Sequence, residues 1–158
     1  MTNNDILRRL RFTFDFDDHT MMLLFKLGDK EQTRAEISSY MKREEDEDFE
    51  KMNDKMMSHF LNGFIVKKRG KREGPPAKAE KRLTNNLILR KLKIALSFRD
   101  EDFIEVFKLV DVDISKHEVS AFFRNPEQRQ FRLCRDQLLR KFLKGLQIQN
   151  RGEGFGDD

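Results

Sequence analysis

The sequence predicts an all-α protein built as two tandem copies of a roughly four-helix unit. Three observations carry this prediction: the chain aligns with itself, its apolar residues recur at helical spacing, and Thr, Ser, Asn and Asp stand where those runs begin. Residues 2–70 fall on residues 84–152 at a shift of 82 positions, without a gap. Thr2-Asn3-Asn4-Asp5-Ile6-Leu7-Arg8-Arg9-Leu10 meets Thr84-Asn85-Asn86-Leu87-Ile88-Leu89-Arg90-Lys91-Leu92. Phe25-Lys26-Leu27 meets Phe107-Lys108-Leu109, and Phe60-Leu61-Asn62-Gly63 meets Phe142-Leu143-Lys144-Gly145. About a third of the aligned positions are identical, more than chance produces over such a length. A repeat of this kind fixes the architecture before any single element is read.

Each element follows in order. A Thr-Asn-Asn cap opens the first helix, its side chains predicted to take the free N–H groups of the opening turn. Ile6, Leu7, Leu10 and Phe14 then repeat at helical spacing, as do Ile88, Leu89, Leu92 and Leu96. Asp17, Asp18 and Asp100 offer caps for a second helix with Met21, Met22, Phe25 and Leu27 inward. Thr33 and Glu36, matched by Ser115 and Glu118, form a capping box before a third helix. That helix presents Ile37, Tyr40 and Met41, or Val119, Phe122 and Phe123. A loop follows, acidic at 44–48 in the first copy and containing Pro126 in the second. The fourth helix buries Met56, Met57, Phe60, Leu61 and Phe64, or Leu138, Leu139, Phe142, Leu143 and Leu146. Gly63 and Gly145 sit inside it, where glycine costs about 1 kcal/mol relative to alanine, so another helix is expected to approach closely there.

The domain plan is a first repeat at 1–70, a basic Gly/Pro linker at 71–83, a second repeat at 84–152 and an acidic tail at 153–158. The linker reads as a solvated connector and the tail as disordered. A unit of this size is marginal alone, so the copies are expected to pack together or to bury apolar surface in a dimer.

Composition narrows the class. Of 158 residues 37% are apolar and 38% charged, which suits short amphipathic helices with a well-solvated surface. Fifteen Phe and seven Met exclude disorder for the chain as a whole. No apolar run approaches the roughly 18 residues a membrane span needs. The opening residues lack the basic region and apolar run of a secretory signal. One cysteine, Cys134, forms no internal disulfide, and with three scattered histidines it leaves no room for a structural zinc site. A cytoplasmic protein without cofactor is the expectation. Charge is unevenly spread: residues 1–70 hold 13 basic and 14 acidic side chains, residues 84–152 hold 14 and 9. The linker adds 5 basic and 2 acidic, so the positive charge sits in the linker and second copy. That asymmetry favours a polyanionic partner for one half.

The Thr-Asn-Asn-x-Ile-Leu-Arg-Arg/Lys-Leu opening, present twice about eighty residues apart, resembles that of the YehS-like bacterial proteins, as does the Arg/Gly-rich connector. The resemblance covers the chain apart from its acidic tail. It implies a bacterial cytoplasmic protein with tandem copies of a domain of unknown function, and brings no activity, cofactor or catalytic residue.

Nucleic acid binding has the best motif-level support. Arg8 and Arg11 share a helical face with Asn4, and Arg90 and Lys93 with Asn86. Lys67, Lys68, Arg69, Lys71 and Arg72 lead out of the first copy, and Arg135, Arg140, Lys141 and Lys144 add charge to the last helix. Such residues neutralise phosphates and release counterions, giving salt-sensitive, sequence-independent affinity. The plain alternative is a solvated face whose field nearby acids cancel. A helix-turn-helix from the second and third helices is disfavoured, because the connection at 28–32 is long and Val110 stands where a turn glycine would help. Asp111, Asp113 and Ser115 fail as a calcium loop, with Lys116 and Phe122 where Gly and a bidentate Glu are needed. Asp15, Asp17 and Asp18 read as helix caps, not a metal site, since Ser97 and Arg99 replace two of them. None of His19, His59 and His117 recurs between copies, Cys134 takes the place of Met52, and no phosphate loop is present, so no catalysis is expected. The expected partner is RNA or DNA backbone; the alternative is a protein–protein adaptor, with the acidic loop meeting a basic partner. Either would act as a monomer or homodimer without membrane contact.

Overall fold

Each repeat of the chain folds as four helices in the computed structural model, which describes residues 1–152. The first holds α1 (Asn3–Thr13), α2 (Asp18–Leu27), α3 (Arg34–Met41) and α4 (Asp54–Arg69). The second holds α5 (Asn85–Leu96), α6 (Asp100–Lys108), α7 (Lys116–Ala121) and α8 (Asp136–Arg151). Among the described residues there is no strand, and no helix is long and apolar enough to cross a membrane. The chain divides into two units, the first Met1–Leu83 and the second starting at Thr84. The tail expectation, at 153–158, lies outside the described residues.

Local chemistry explains where the helices begin. The Thr2 hydroxyl accepts from the Asp5 N–H at 3.1 Å while the Asp5 carboxylate accepts from the Thr2 N–H at 3.2 Å. In the second copy Thr84 caps the Leu87 N–H at 3.1 Å, and leucine has nothing to return. A cap of this kind contributes about 1 kcal/mol. Asn3, Asn4, Asn85 and Asn86 are helical residues, not caps, contrary to the sequence reading. Asp17 caps α2, but Arg99 stands at the matching position before α6 and has no acceptor to offer. There the Asp102 carboxylate accepts from the Arg99 N–H at 2.7 Å, so Asp100 is simply the first helical residue. The capping boxes before α3 and α7 form as expected.

Two left-handed residues recur as well. Asp15 and Ser97 (φ 54° and 56°) break the chain after the first helix of each copy, and Asp29 and Asp111 (φ 68° and 58°) after the second. Short polar side chains tolerate that conformation better than branched ones.

The core of each unit lies between its second and fourth helices, α2 on α4 and α6 on α8. Met21, Leu24 and Phe25 are buried against this seam, whereas Met22, expected inward, is 37% exposed. The rotation of α2 is set by Gly28 and Gly63. A Cβ on Gly63 would lie 1.7 Å from the Leu24 carbonyl oxygen, and one on Gly28 would lie 1.7 Å from that of His59. Backbone therefore meets backbone, which puts residues 21, 24, 25 and 28 on one face. In the second repeat Val110 replaces Gly28, and the approach is looser: a Cβ on Gly145 would sit 2.5 Å from the Val106 oxygen. The close approach expected at both helical glycines is thus present.

One buried pair changes as a unit. The Tyr40 hydroxyl donates to Gln32 at 2.9 Å in the first copy, and Phe122 and Ile114 stand at the matching places in the second. Losing both partners together avoids an orphaned polar group.

Residues 71–78 are exposed, but the linker does not stay in solvent throughout. The Glu80 N–H donates to the buried Ser58 hydroxyl, which donates to the Glu80 carboxylate, and the Leu83 N–H donates to Asp54. Its second half therefore runs back along α4 to the first turn of that helix.

Candidate nucleic-acid interface

The repeated Asn-Asn pair is occupied inside the fold. Asn4 is 1% exposed; its amide donates to the carbonyls of Tyr40 (3.0 Å) and Glu50 (2.9 Å), and its oxygen accepts from the Met52 N–H (2.9 Å). Asn86 repeats the set on Phe122 (3.0 Å), Arg132 (2.8 Å) and Cys134 (2.9 Å). Asn3 and Asn85 donate to the carbonyl two residues further on, of Met52 or Cys134, and to the aspartate that opens the fourth helix. The four asparagines staple the loop between the third and fourth helices onto the first helix. They leave Asn4 and Asn86 with no face to offer a ligand.

The basic stripe beside them has structural employment too. Arg8 pairs with Asp5 and donates to the carbonyl of Lys42, the last cap of α3, at 3.1 Å. Arg90 donates to the carbonyl of Phe123 just past α7. A cation at these helix C-termini satisfies an open carbonyl and complements the helix dipole, which accounts for an arginine in both copies. Arg11 donates to the Phe16 carbonyl at 3.1 Å and pairs with Asp18 at 2.7 Å, and Arg34 pairs with the same aspartate. These arginines hold the Asp18 carboxyl below the usual carboxylate range. At Asp5 burial pushes the carboxyl up, but the Thr2 hydrogen bonds and Arg8 outweigh it and leave it lowered. Lys93, at the position of Arg11, lies over the Phe123 ring, 4.5 Å from its centroid.

The other candidates lie on the fourth helix of each repeat. Lys67, Lys68 and Arg69 are exposed on the last turn of α4. Arg140 is exposed on α8, and Lys141 and Lys144 on the same helix are half-buried.

Lys141 also edges a feature that the sequence did not announce: an open groove of about 360 Å³ in the second repeat. Val112, Leu133 and Leu138 supply its apolar surface, Arg132, Arg135 and Lys141 its cations, and no acidic side chain lines it. Arg132 is fixed by an ion pair with Glu118 at 2.8 Å and by the Phe122 ring, 5.2 Å from its guanidinium. Arg135 occupies the N-cap of α8 without a side-chain capping bond, where Asn53 in the first repeat caps α4. Leu133 is 52% exposed. The aligned residues of the first repeat include Glu50 for Arg132 and Lys51 for Leu133, so the first copy does not reproduce this chemistry. Those departures between the copies mark Arg132 and Leu133 in the sequence as particular to the second repeat, but not that they converge on a groove.

Residues 3–70 and 85–152 each match the family described as Protein of unknown function (DUF1456). The chain belongs to that family. It is 38% identical over 147 residues to the Uncharacterized protein YehS of Escherichia coli (strain K12), a match covering 92% of this chain and 94% of that relative. No solved structure matches. The two family segments are the two structural repeats, one in each unit, so the family model recurs as one four-helix fold.

None of the remaining reactive groups is among the residues that line this groove. Among the described residues no group of three or more His, Cys, Asp and Glu could hold a metal ion. His59 donates from Nδ1 to the Gly28 carbonyl at 2.7 Å, and His19 and His117 are exposed. Cys134 is 1% exposed, and burial pushes its thiol from the ordinary 9.0 up to about 12. A proton is therefore held more tightly in the folded than in the unfolded chain. The stability this gives is complete below pH 9 and is lost as pH rises toward 12. Because the thiolate is the nucleophile, native protein at pH 8 is expected to resist a thiol reagent and to react fully in denaturant. Rapid labelling of the native chain would overturn this assignment.

Proposed function

We propose that the protein is a non-enzymatic binding protein whose second repeat contacts the backbone of a nucleic acid. The observation that carries this reading is the groove edged by Arg135 and Lys141 and lined by no acidic side chain, on a repeat with 14 basic and 9 acidic side chains; Arg132 beside them is paired with Glu118. Arg140 and Lys144 lie on the same helix, and Lys67, Lys68 and Arg69 form a basic last turn of α4 that leads into the basic linker. In the first-helix stripe, by contrast, Arg8 and Arg11 have acidic partners within the fold, which weakens their claim to phosphate.

The test is fluorescence anisotropy of labelled RNA and DNA oligomers across a salt series. Log affinity is expected to fall linearly with log salt, and Arg135→Gln or Lys141→Gln to reduce the slope by about one each. Absence of binding at low salt would sink the proposal. The second reading, a protein adaptor, is favoured by the exposed acidic loop at 44–48 and is tested by capture that survives high salt.

A further inference from the structure

We infer that the groove of the second repeat receives an unstacked nucleotide, so that the protein prefers single-stranded nucleic acid to duplex. The inference deepens the backbone-contact proposal and rests on it. A surface that only neutralises phosphates needs cations and no apolar lining; this groove has both. Val112, Leu133 and Leu138 form an aliphatic surface, and Leu133 is the most exposed large apolar side chain among the described residues, at 52%. Its volume, about 360 Å³, lies within the range of small-molecule sites and suits a single nucleotide unit.

The cations are arranged for two tasks. Arg132 is held by Glu118 and by the Phe122 ring, so its guanidinium plane is fixed at the groove and offers a flat surface for a base. Arg135 at the N-cap of α8 and Lys141 on its second turn are left for the phosphates. A base buried in a duplex stack cannot reach the aliphatic surface without unpairing, whereas a single strand splays its bases at little cost. The preference is therefore opposite to the one charge density alone dictates, since a duplex carries more phosphates per unit length than a single strand. The first repeat has no such preference to add, with Glu50 and Lys51 in place of Arg132 and Leu133.

The experiment titrates the full chain against a labelled single strand and a labelled duplex with equal numbers of phosphates, at several salt concentrations. Contact between base and groove predicts single-strand affinity higher by about fivefold or more. Leu133→Ser, at an exposed position, should remove most of that preference and leave the salt slope unchanged; Lys141→Gln should lower the slope and keep the preference. Equal or tighter binding of the duplex, with Leu133→Ser silent, would overturn the inference and leave the backbone-contact proposal standing. No binding of either form would end both. Displacement by polyglutamate as readily as by unlabelled strand would also overturn it, and would make the groove a site for acidic peptide.

Discussion

Gly63→Ala is expected to destabilise the first repeat by about 3 kcal/mol or more, although the same change in most helices stabilises by about 1 kcal/mol. The sign inverts because of what the methyl group meets. It would lie 1.7 Å from the Leu24 carbonyl oxygen and 3.0 Å from the Gly28 nitrogen, both backbone atoms of a packed helix. No side chain can rotate away, so α2 and α4 must part. Their seam is where the Phe25 ring packs at a tilt against Phe60, 5.2 Å between ring centroids, and where Met21, Leu24, Leu61 and Phe64 are buried. Against a typical domain stability of about 5–15 kcal/mol, loss of that packing removes a large share. Gly28→Ala should be as severe, because its methyl group meets the His59 carbonyl at the same 1.7 Å. Gly145→Ala should be milder, since its nearest neighbours, the Val106 oxygen and Cγ1, are at 2.5 and 2.7 Å. Urea unfolding followed by circular dichroism gives the ranking. A Gly63→Ala chain as stable as the parent would mean that the two helices do not cross in contact.

The helical glycines were legible in the sequence because they contradict propensity: a residue that weakens a helix is retained where something closer than a side chain must fit. Helix class and number were legible for a related reason, since period and caps are local and occur twice. What escaped the sequence is long-range. Asn4 and Asn86 share a helical face with Arg8 and Arg90, and a helical wheel alone makes a polar stripe of them. Only the return of the loop at 50–52 and 132–134 turns the two asparagines inward. The neutralisation of Arg11 by Asp18 likewise depends on the turn at Asp15, and the inward face of α2 on a glycine contact made by α4. The groove lies partly in a stretch with no periodicity, residues 131–135, where neither helix nor strand pattern marks which side chains converge. Its residues carry positive charge in the sequence, but charge does not reveal concavity.

Asn86→Asp, a change of one NH₂ to oxygen, is expected to cost the second repeat about 3 kcal/mol or more at neutral pH. The amide group of Asn86 donates to the Phe122 and Arg132 carbonyls, and the new oxygen would face both of them as a second acceptor. Each carbonyl left without a donor costs about 1–3 kcal/mol, and the Cys134 N–H retains its acceptor only on the other oxygen. The site is 7% exposed, so ionising the new carboxyl there is opposed by burial and by the two carbonyl dipoles. Its folded-state pKa would be raised above the unfolded value near 3.9, which fixes the sign of the pH effect. The variant should be least impaired below that value, where the protonated carboxyl donates to one carbonyl, and should lose stability as pH rises through the folded pKa. Asn86→Ala separates the contributions: it removes all three hydrogen bonds and has no proton to exchange, so its deficit relative to the parent should not vary over the same range. Asn4→Asp should behave in the same way in the first repeat, where Asn4 is 1% exposed and holds the same three kinds of partner. Urea titrations of the three variants at pH 4.5 and pH 7 decide it. If the aspartate variants match the parent at both values, the asparagines do not staple the loop, and the repeated Asn-Asn pair becomes available to bind a ligand after all.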